Sequence, residues 1–363
     1  MNTPSDKDAM QSRILRKDEL TKASGSPGLP RLLEPAGDNS FEALQTMVRA
    51  KREEIEERLR TIGGVLFRGW RVETPERFEE LLEAFAYRLE TEYLMGVTPR
   101  TNVGHYVFTS TEAPAGYPIF AHNEMSYLNT RPMRIAFYCQ EPPERYGETP
   151  IFDTRAALRG LNSVVKDRLA AHKVRYVRKL PKERSFWQTV IHRTWPETFL
   201  TEDRDEIQQI ADENRIDIRW EGDELITEVL VDPIVTHPET GEKSLNLQLY
   251  HEANMLLDIK NLAARQSWVT NYITQLKAKV GFRTGRFPVE IRYGDGSRIP
   301  DEDIQAIRQA TWDTAVLFAW QKGDVLLLEN LITAHGRMNV EPPRKIVAAF
   351  GRMISFRPPE ASN

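Results

Sequence analysis

Residues 315–337 read AVLFAWQKGDVLLLENLITAHGR. Two apolar runs, Ala315–Trp320 and Val325–Leu328, flank Gln321-Lys322-Gly323-Asp324. Such short runs bounded by Gly and Asp suit strands buried on both faces and are too short for core helices. The four residues between them read as a hairpin-like connection. His335 follows the second run, flanked by the small residues Ala334 and Gly336, where a strand can present a side chain into the mouth of a barrel.

Outward from this stretch the strand signal repeats. Arg134–Cys139 (RIAFYC) and Ile346–Phe356 (IVAAFGRMISF) are further apolar runs. Phe287, Val289, Ile291 and Tyr293 alternate with Arg286, Pro288, Glu290 and Arg292, and Gly294-Asp295-Gly296 supplies a turn. Helices are expected before residue 100. Phe41, Leu44, Val48, Ile55 and Leu59 form one stripe of 3.6-residue period, with Glu54/Arg58 and Glu56/Arg60 on the wet face. Gly63-Gly64 stops this helix, and Val65–Phe67 reads as a short strand. Thr74-Pro75 is an N-cap followed by Pro, opening a helix with Phe78, Leu81, Leu82 and Phe85 inward. Residues 1–40 are polar, with Ser-Gly-Ser-Pro-Gly at 24–28, and read as a loosely attached leader. Residues 201–224 are rich in charge, an exposed part of a helical insertion spanning about 155–225. This order is not the βαβα rhythm of a doubly wound sheet. The expected class is mainly β with helical decoration, a sandwich or jelly roll, forming a single domain over 41–363.

The chain has 363 residues, 49 Lys+Arg against 53 Asp+Glu, a net charge of −4 and 40% hydrophobic residues. A packed core is affordable and wholesale disorder is excluded. The charge balance argues against a nucleic-acid partner. No apolar run reaches the ~18–20 residues of a membrane helix. The charged start, MNTPSDKDAMQSR, is followed by no apolar segment, so a cytoplasmic location is expected. Cys139 is the sole cysteine, which rules out an internal disulfide and a multi-cysteine metal site. A metal site would draw on seven histidines: His105, His122, His172, His192, His237, His251 and His335.

In YPIFAHNEMSY, residues 117–127, His122 and Glu124 are two apart. On an extended segment both side chains leave one face and can chelate one metal. The spacing alone is weak, and a polar pair in a strand reads equally well. It recurs as His237-Pro238-Glu239 within HPETGE, where Pro and Gly mark a surface turn. Adding His335 gives two histidines and one carboxylate, the facial set of non-haem Fe(II) oxygenases. A zinc hydrolase on the same three residues and a non-catalytic binding module also remain open at this level.

Six segments, in this order, carry a family resemblance: GVLFRG (64–69), HNEMSY (122–127), EPPERYGETPIFD (141–153), HPETGE (237–242), YGDGSRIPDEDIQAI (293–307) and GDVLLLENLITAHGR (323–337). With them the chain resembles the TauD/TfdA group of Fe(II)- and 2-oxoglutarate-dependent dioxygenases. Within that group it is most similar to the SyrP-like branch, whose members act on amino acids in peptide-natural-product pathways. The resemblance implies a double-stranded β-helix, a cupin-like jelly roll with helices outside. It implies His122, Glu124 and His335 as iron ligands. It implies Thr149, in Gly147-Glu148-Thr149, and Arg344, nine residues past His335, as the residues that bind 2-oxoglutarate. Lys345 and Arg352 stand as alternatives to Arg344. A planar guanidinium fork suits a buried carboxylate better than a point charge.

The implied reaction consumes 2-oxoglutarate and O₂, releases succinate and CO₂, and hydroxylates an unactivated C–H. The substrate would be an amino acid or a related small molecule, free or tethered to a carrier protein. A taurine-type sulfonate or another small acid is the alternative substrate, and desaturation or cyclisation the alternative outcome. Glu124 stands where related halogenases have a small residue, which argues against halogenation. Asn102, Ser110, Asn246 and Arg352 are candidates for the substrate pocket. Arg68, Arg100, Arg131 and Arg134 are candidates to meet a substrate carboxylate, and His105 and His251 to support the site. Glu329-Asn330 and Leu245-Asn246-Leu247 depart from the family pattern, marking altered substrate contacts or drift. A homodimer is a further expectation.

Overall fold

The computed structural model describes residues 10–23, 26–86, 88–97, 100–110, 118–183, 193–251 and 289–356, with single positions 254, 269, 272 and 276. In chain order, β1 (Met10–Ile14), β2 (Leu20–Lys22) and β3 (Arg31–Pro35) precede helices α1 (Phe41–Ala50) and α2 (Arg52–Ile62). Then come β4 (Gly64–Phe67), α3 (Pro75–Glu83), β5 (Phe108–Thr109), β6 (Ile119–His122), β7 (Thr130–Glu141), β8 (Arg145–Tyr146) and β9 (Ile151–Asp153). Helices α4 (Thr154–Gly160) and α5 (Ser163–His172) lead to β10 (Val174–Leu180), α6 (Trp195–Phe199) and α7 (Arg204–Asn214). Strands β11 (Asp217–Glu221), β12 (Glu224–Val231), β13 (Ile234–Thr236), β14 (Lys243–Leu245) and β15 (Val289–Tyr293) follow. Helix α8 (Asp301–Trp312) precedes β16 (Ala315–Phe318), β17 (Val325–Glu329), β18 (Thr333–Arg337), β19 (Val340–Glu341) and β20 (Lys345–Ser355).

Three sheets dominate. Seven strands run β1-β3-β4-β17-β7-β20-β5, five run β2-β16-β9-β18-β6, and four run β11-β12-β10-β15. Apart from Ala315–Trp320, which forms β16 of the five-stranded sheet, the apolar runs of the sequence are inner strands of the seven-stranded sheet. Alternation along each strand divides them between two cores. Val65, Phe67, Ala136, Tyr138, Val325, Leu327, Val347 and Ala349 pack against Phe41, Leu44, Val48, Ile55, Leu59, Phe78 and Leu81 of α1–α3. The intervening Leu66, Ile135, Phe137, Leu326, Leu328, Ala348 and Phe350 join the second core with Ile151, Val316 and Phe318 of the five-stranded sheet. A strand covered on both faces has no wet side, so its sequence reads as an unbroken apolar run.

Several expectations change. Residues 10–35 are not a loose leader. β1 pairs β3, β3 runs parallel to β4, and β2 pairs β16, with Leu32 and Leu33 fully buried. Their backbone hydrogen bonds outweigh the polar composition that suggested detachment. Gln321–Asp324 is not a hairpin turn, because β16 and β17 lie in different sheets. Asp324 is instead gripped by Arg68, with Oδ1 and Oδ2 accepting from Nε and Nη2 at 3.0 and 2.6 Å. The helical stripe of 41–59 spans two helices that meet at Lys51. Glu56 leaves the wet face: it is 8% exposed and accepts from Arg134 Nη2 at 2.6 Å. The charge-rich stretch 201–224 contains α7 but then enters the edge strand β11. Phe287 and its neighbours up to residue 288 lie outside the described residues, and Val289, Ile291 and Tyr293 alternate inward in β15 as expected.

Candidate metal centre

The chain brings His122 and His335 together by strand pairing. β18 lies between β9 and β6, and His335 is the ladder partner of His122. The rings stand 4.3 Å apart at 52°. The ladder shifts register between His335 and Arg337, and a side chain on Gly336 would meet the Ile119 carbonyl at 2.6 Å. Glycine at 336 therefore lets β6 approach. Phe137, from the inner face of the seven-stranded sheet, packs on His335 at 4.9 Å, which places the centre between the two large sheets.

Glu124 arrives differently from expectation. The strand ends at His122, so alternation does not aim the carboxylate. The Asn330 side chain does. Its Oδ1 accepts from the Glu124 amide at 2.7 Å, and its Nδ2 donates to the carbonyls of Glu124 (3.0 Å) and Pro132 (2.8 Å). One ligand atom from each of His122, Glu124 and His335 then lies within 4.8 Å of the others, all three buried. That spacing fits one ion, and two imidazoles with a carboxylate are a donor set suited to iron.

The electrostatics prepare these ligands. Burial holds both His122 and His335 below the ordinary histidine range, and His335 is lowered furthest. Neutral imidazoles are what a metal requires. His122 Nδ1 lies 3.1 Å from the Phe120 carbonyl, which can only accept, so Nδ1 carries the proton and Nε2 the lone pair. Burial opposes ionisation of Glu124, but the Arg100 charge and the Tyr93 hydrogen bond help outweigh it and its pKa falls below the usual value. Glu124 Oε1 accepts from Tyr93 Oη at 2.8 Å, and Oε2 accepts from Arg100 Nη2 at 2.7 Å.

A second polar pair lies beside β9 and β20. Arg344 Nη2 donates to Thr149 Oγ1 at 3.1 Å, and its Nε to the Gly147 carbonyl at 2.9 Å. Trp320 Nε1 donates to the same hydroxyl at 3.1 Å. Burial, reinforced by Arg337, lowers the Arg344 pKa to about 10. Among the described residues no carboxylate pairs with Arg344.

The structure does not bring the alternatives to this place. Lys345 reaches outward to Glu141 at 3.3 Å. Arg352 has φ 55°, which takes it out of strand geometry, and its side chain pairs with Glu239 and Glu56. Asn102 is exposed and donates to the Thr91 carbonyl. Ser110 is tied by its amide to Ile346. Asn246 sits behind the centre, accepting from Arg131 Nη1 at 2.5 Å and donating to the Asn330 and Leu331 carbonyls. Arg68 and Arg134 are spent on buried carboxylates, His105 meets Tyr106 edge-on at the surface, and His251 bonds the Ile299 carbonyl. Glu329 shares the helix-side parity of Val325 and Leu327, so it faces away from the centre and meets Arg134 and His237. Its neighbour Asn330 is the functional half of that pair. Tyr93 lay outside the sequence reading altogether, since a lone Tyr 31 residues before its partner gives no local signal.

A family profile described as Taurine catabolism dioxygenase TauD, TfdA family matches residues 28–350. The chain belongs to the TauD/TfdA family. It is a dioxygenase that uses Fe(II) and 2-oxoglutarate, acting on a small molecule. The dapdiamide synthesis protein DdaC of Enterobacter agglomerans is 28% identical over 330 residues, covering 90% of this chain and 92% of that one. A clavaminate synthase-like protein of Arabidopsis thaliana is 28% identical over 307 residues, covering 84% and 86%. The structure of PvcB from Pseudomonas aeruginosa superposes with a TM-score of 0.54 at 13% identity, covering 97% of this chain and 94% of that one. PvcB thus shares the fold of this chain, which is mostly β with helices. No helix among the described residues is long and apolar enough to cross a membrane.

Proposed function

We propose that this dioxygenase hydroxylates an unactivated C–H of an amino acid or an amino-acid-derived small molecule, and that its two large sheets form one double-stranded β-helix around the site. The observation that carries the reading is the buried His122/Glu124/His335 cluster with the Thr149–Arg344 pair close by in sequence to its strands. The names of similar proteins support the substrate class: DdaC belongs to dapdiamide synthesis, and PvcB is titled an Fe, alpha-ketoglutarate dependent oxygenase from an isonitrile synthetic pathway.

In this reading His122 Nε2, Glu124 and His335 hold Fe(II). The bound metal with 2-oxoglutarate supplies oxidising power from O₂ that no side chain possesses. The rest falls to the protein. Arg344 meets the far carboxylate of 2-oxoglutarate. Both contacts that Thr149 makes use its oxygen as acceptor, leaving its proton to donate to the same carboxylate. Trp320 and Gly147 fix that pair. Tyr93 and Arg100 keep Glu124 ionised. Phe137 closes one side of His335 against water.

The test is anaerobic addition of Fe(II) and 2-oxoglutarate to the purified protein. A weak visible charge-transfer band is expected, followed by succinate release with one or more members of an amino-acid panel. No band with iron bound would remove the co-substrate assignment. A second reading, a taurine-type sulfonate or small-acid substrate, is favoured by the family name alone. Turnover of taurine with no amino acid accepted would establish it in place of the first.

A further inference from the structure

Building on that iron and 2-oxoglutarate reading, we propose that Arg100 is the receptor for a carboxylate of the substrate, on the Glu124 side of the centre. The Arg100 side chain is 3% exposed. Only Nη2 is engaged, on Glu124 Oε2 at 2.7 Å. Nε and Nη1 are buried with no hydrogen-bond partner among the described residues. The buried Tyr127 hydroxyl stands in the same neighbourhood, beside Tyr93 and Arg100. Idle donors in a dry site carry a desolvation cost that an arriving acceptor removes.

The charges point the same way. The two positive charges of Fe(II) and the one on Arg344 are met by Glu124 and the two carboxylates of 2-oxoglutarate. Arg100 is then left without a counter-charge. Arg178 and Arg193 stand on the same side, and they donate to neutral oxygens: Arg178 to the carbonyls of Met95 and Gly96, Arg193 to that of Tyr93. Among the described residues Arg100 pairs with Glu124, and Glu197 lies near enough to Arg193 to attract it. An anion on the substrate would supply the counter-charge that Arg100 then lacks.

Arg100 also binds the carboxylate oxygen that faces His335 Nε2, at 3.9 Å. A metal held by Glu124 and His335 would therefore compete with the guanidinium for this carboxylate. A metal that draws on Glu124 frees Arg100 for the substrate. An amino acid held as a thioester has lost its main-chain carboxylate, so a tethered substrate would have to present the charge on its side chain.

The experiment uses the protein loaded with Mn(II), an unreactive stand-in for Fe(II), and 2-oxoglutarate. Calorimetry compares free L-amino acids with their carboxamides, including aspartate α-amide against asparagine to separate main-chain from side-chain carboxylates. The expected result is an acid that binds, with its amide ten- to a hundred-fold weaker. Arg100→Gln should abolish that preference while Mn(II) still binds, somewhat more weakly because Arg100 helps keep Glu124 ionised. Arg100→Lys should restore part of the preference. Equal binding of acids and amides, binding of no acid, or an acid preference that survives in Arg100→Gln would each overturn the proposal, the last by reducing Arg100 to a positioning partner of Glu124. Failure of the wild type to bind Mn(II) would bring down the metal reading itself, and this proposal with it.

Discussion

The sequence contains His-x-Glu twice, and the two copies meet opposite fates. His122-Asn123-Glu124 lies between the sheets with a third ligand opposite, an imidazole lone pair unspent and a carboxylate turned toward it. His237-Pro238-Glu239 lies on the helix side of the seven-stranded sheet. There His237, fully buried, has Nδ1 accepting from the amides of Glu239 and Thr240 at 3.2 Å, and Nε2 lies 3.5 Å from Glu329. Glu239 turns away to Arg60 and Arg352. Residues 238–242 are the exposed turn between β13 and β14 that Pro and Gly suggested, and the buried histidine before it spends its Nδ1 lone pair on two backbone amides. Spacing alone does not make a metal site; lone pairs left unspent do.

The largest expected effect breaks the first copy. His335→Ala should abolish metal binding and lower turnover on the order of 10³-fold or more while the fold persists. A soluble variant with normal iron content would refute the assignment. Next, Asn330→Ala removes the clip that aims Glu124. It should cost about 2–4 kcal/mol of stability and weaken metal affinity, read by denaturant unfolding and Mn(II) titration. If metal affinity held, Glu124 would be aimed by something other than Asn330. Arg344→Lys should raise the 2-oxoglutarate requirement about ten-fold with kcat less affected. An unchanged requirement would move the role elsewhere on β18 or β20.

The smallest effect at neutral pH concerns the second copy. His237→Asn should leave Mn(II) affinity unchanged at pH 7.5. Its signature lies in acid. Burial lowers the His237 pKa to about 4, below the unfolded value of ~6.5, so protonation favours the unfolded chain. The wild type should lose stability as pH falls through that window, by about 3 kcal/mol at most from this residue. The Asn variant should lose less between pH 6.5 and 4.5 in thermal melts. Parallel melting curves would show that His237 is not the titrating group.

Much of this arrangement is legible in the residues, for a physical reason. Strands covered on both faces leave unmistakable apolar runs, and a metal set needs rare residue types. The readings that failed concern partners distant in sequence. Glu56 matches a helical i, i+4 pair with Arg60, yet it turns inward because Arg134 and Arg352 wait there. Gln321–Asp324 has hairpin composition, but Arg68 bends it between sheets. Polar residues 10–35 become strands because β4 and β16 offer them open edges. Arg100 was one arginine among four candidates, and only the fold singles it out beside Glu124.

β17 lies between β4 and β7, and β18 between β9 and β6, so each large sheet is stitched shut by strands made near the end of the chain. During synthesis the earlier strands must wait, edges bare, for residues beyond 324. Folding is then dominated by distant pairings and should be slow, a risk that favours a chaperone's protection in the interval. Hydrogen exchange on a chain ending at Gly323 would find β4 and β7 unprotected. Iron, needing both His122 and His335, can enter only after the last stitch, as a seal on a finished protein rather than a seed for its folding.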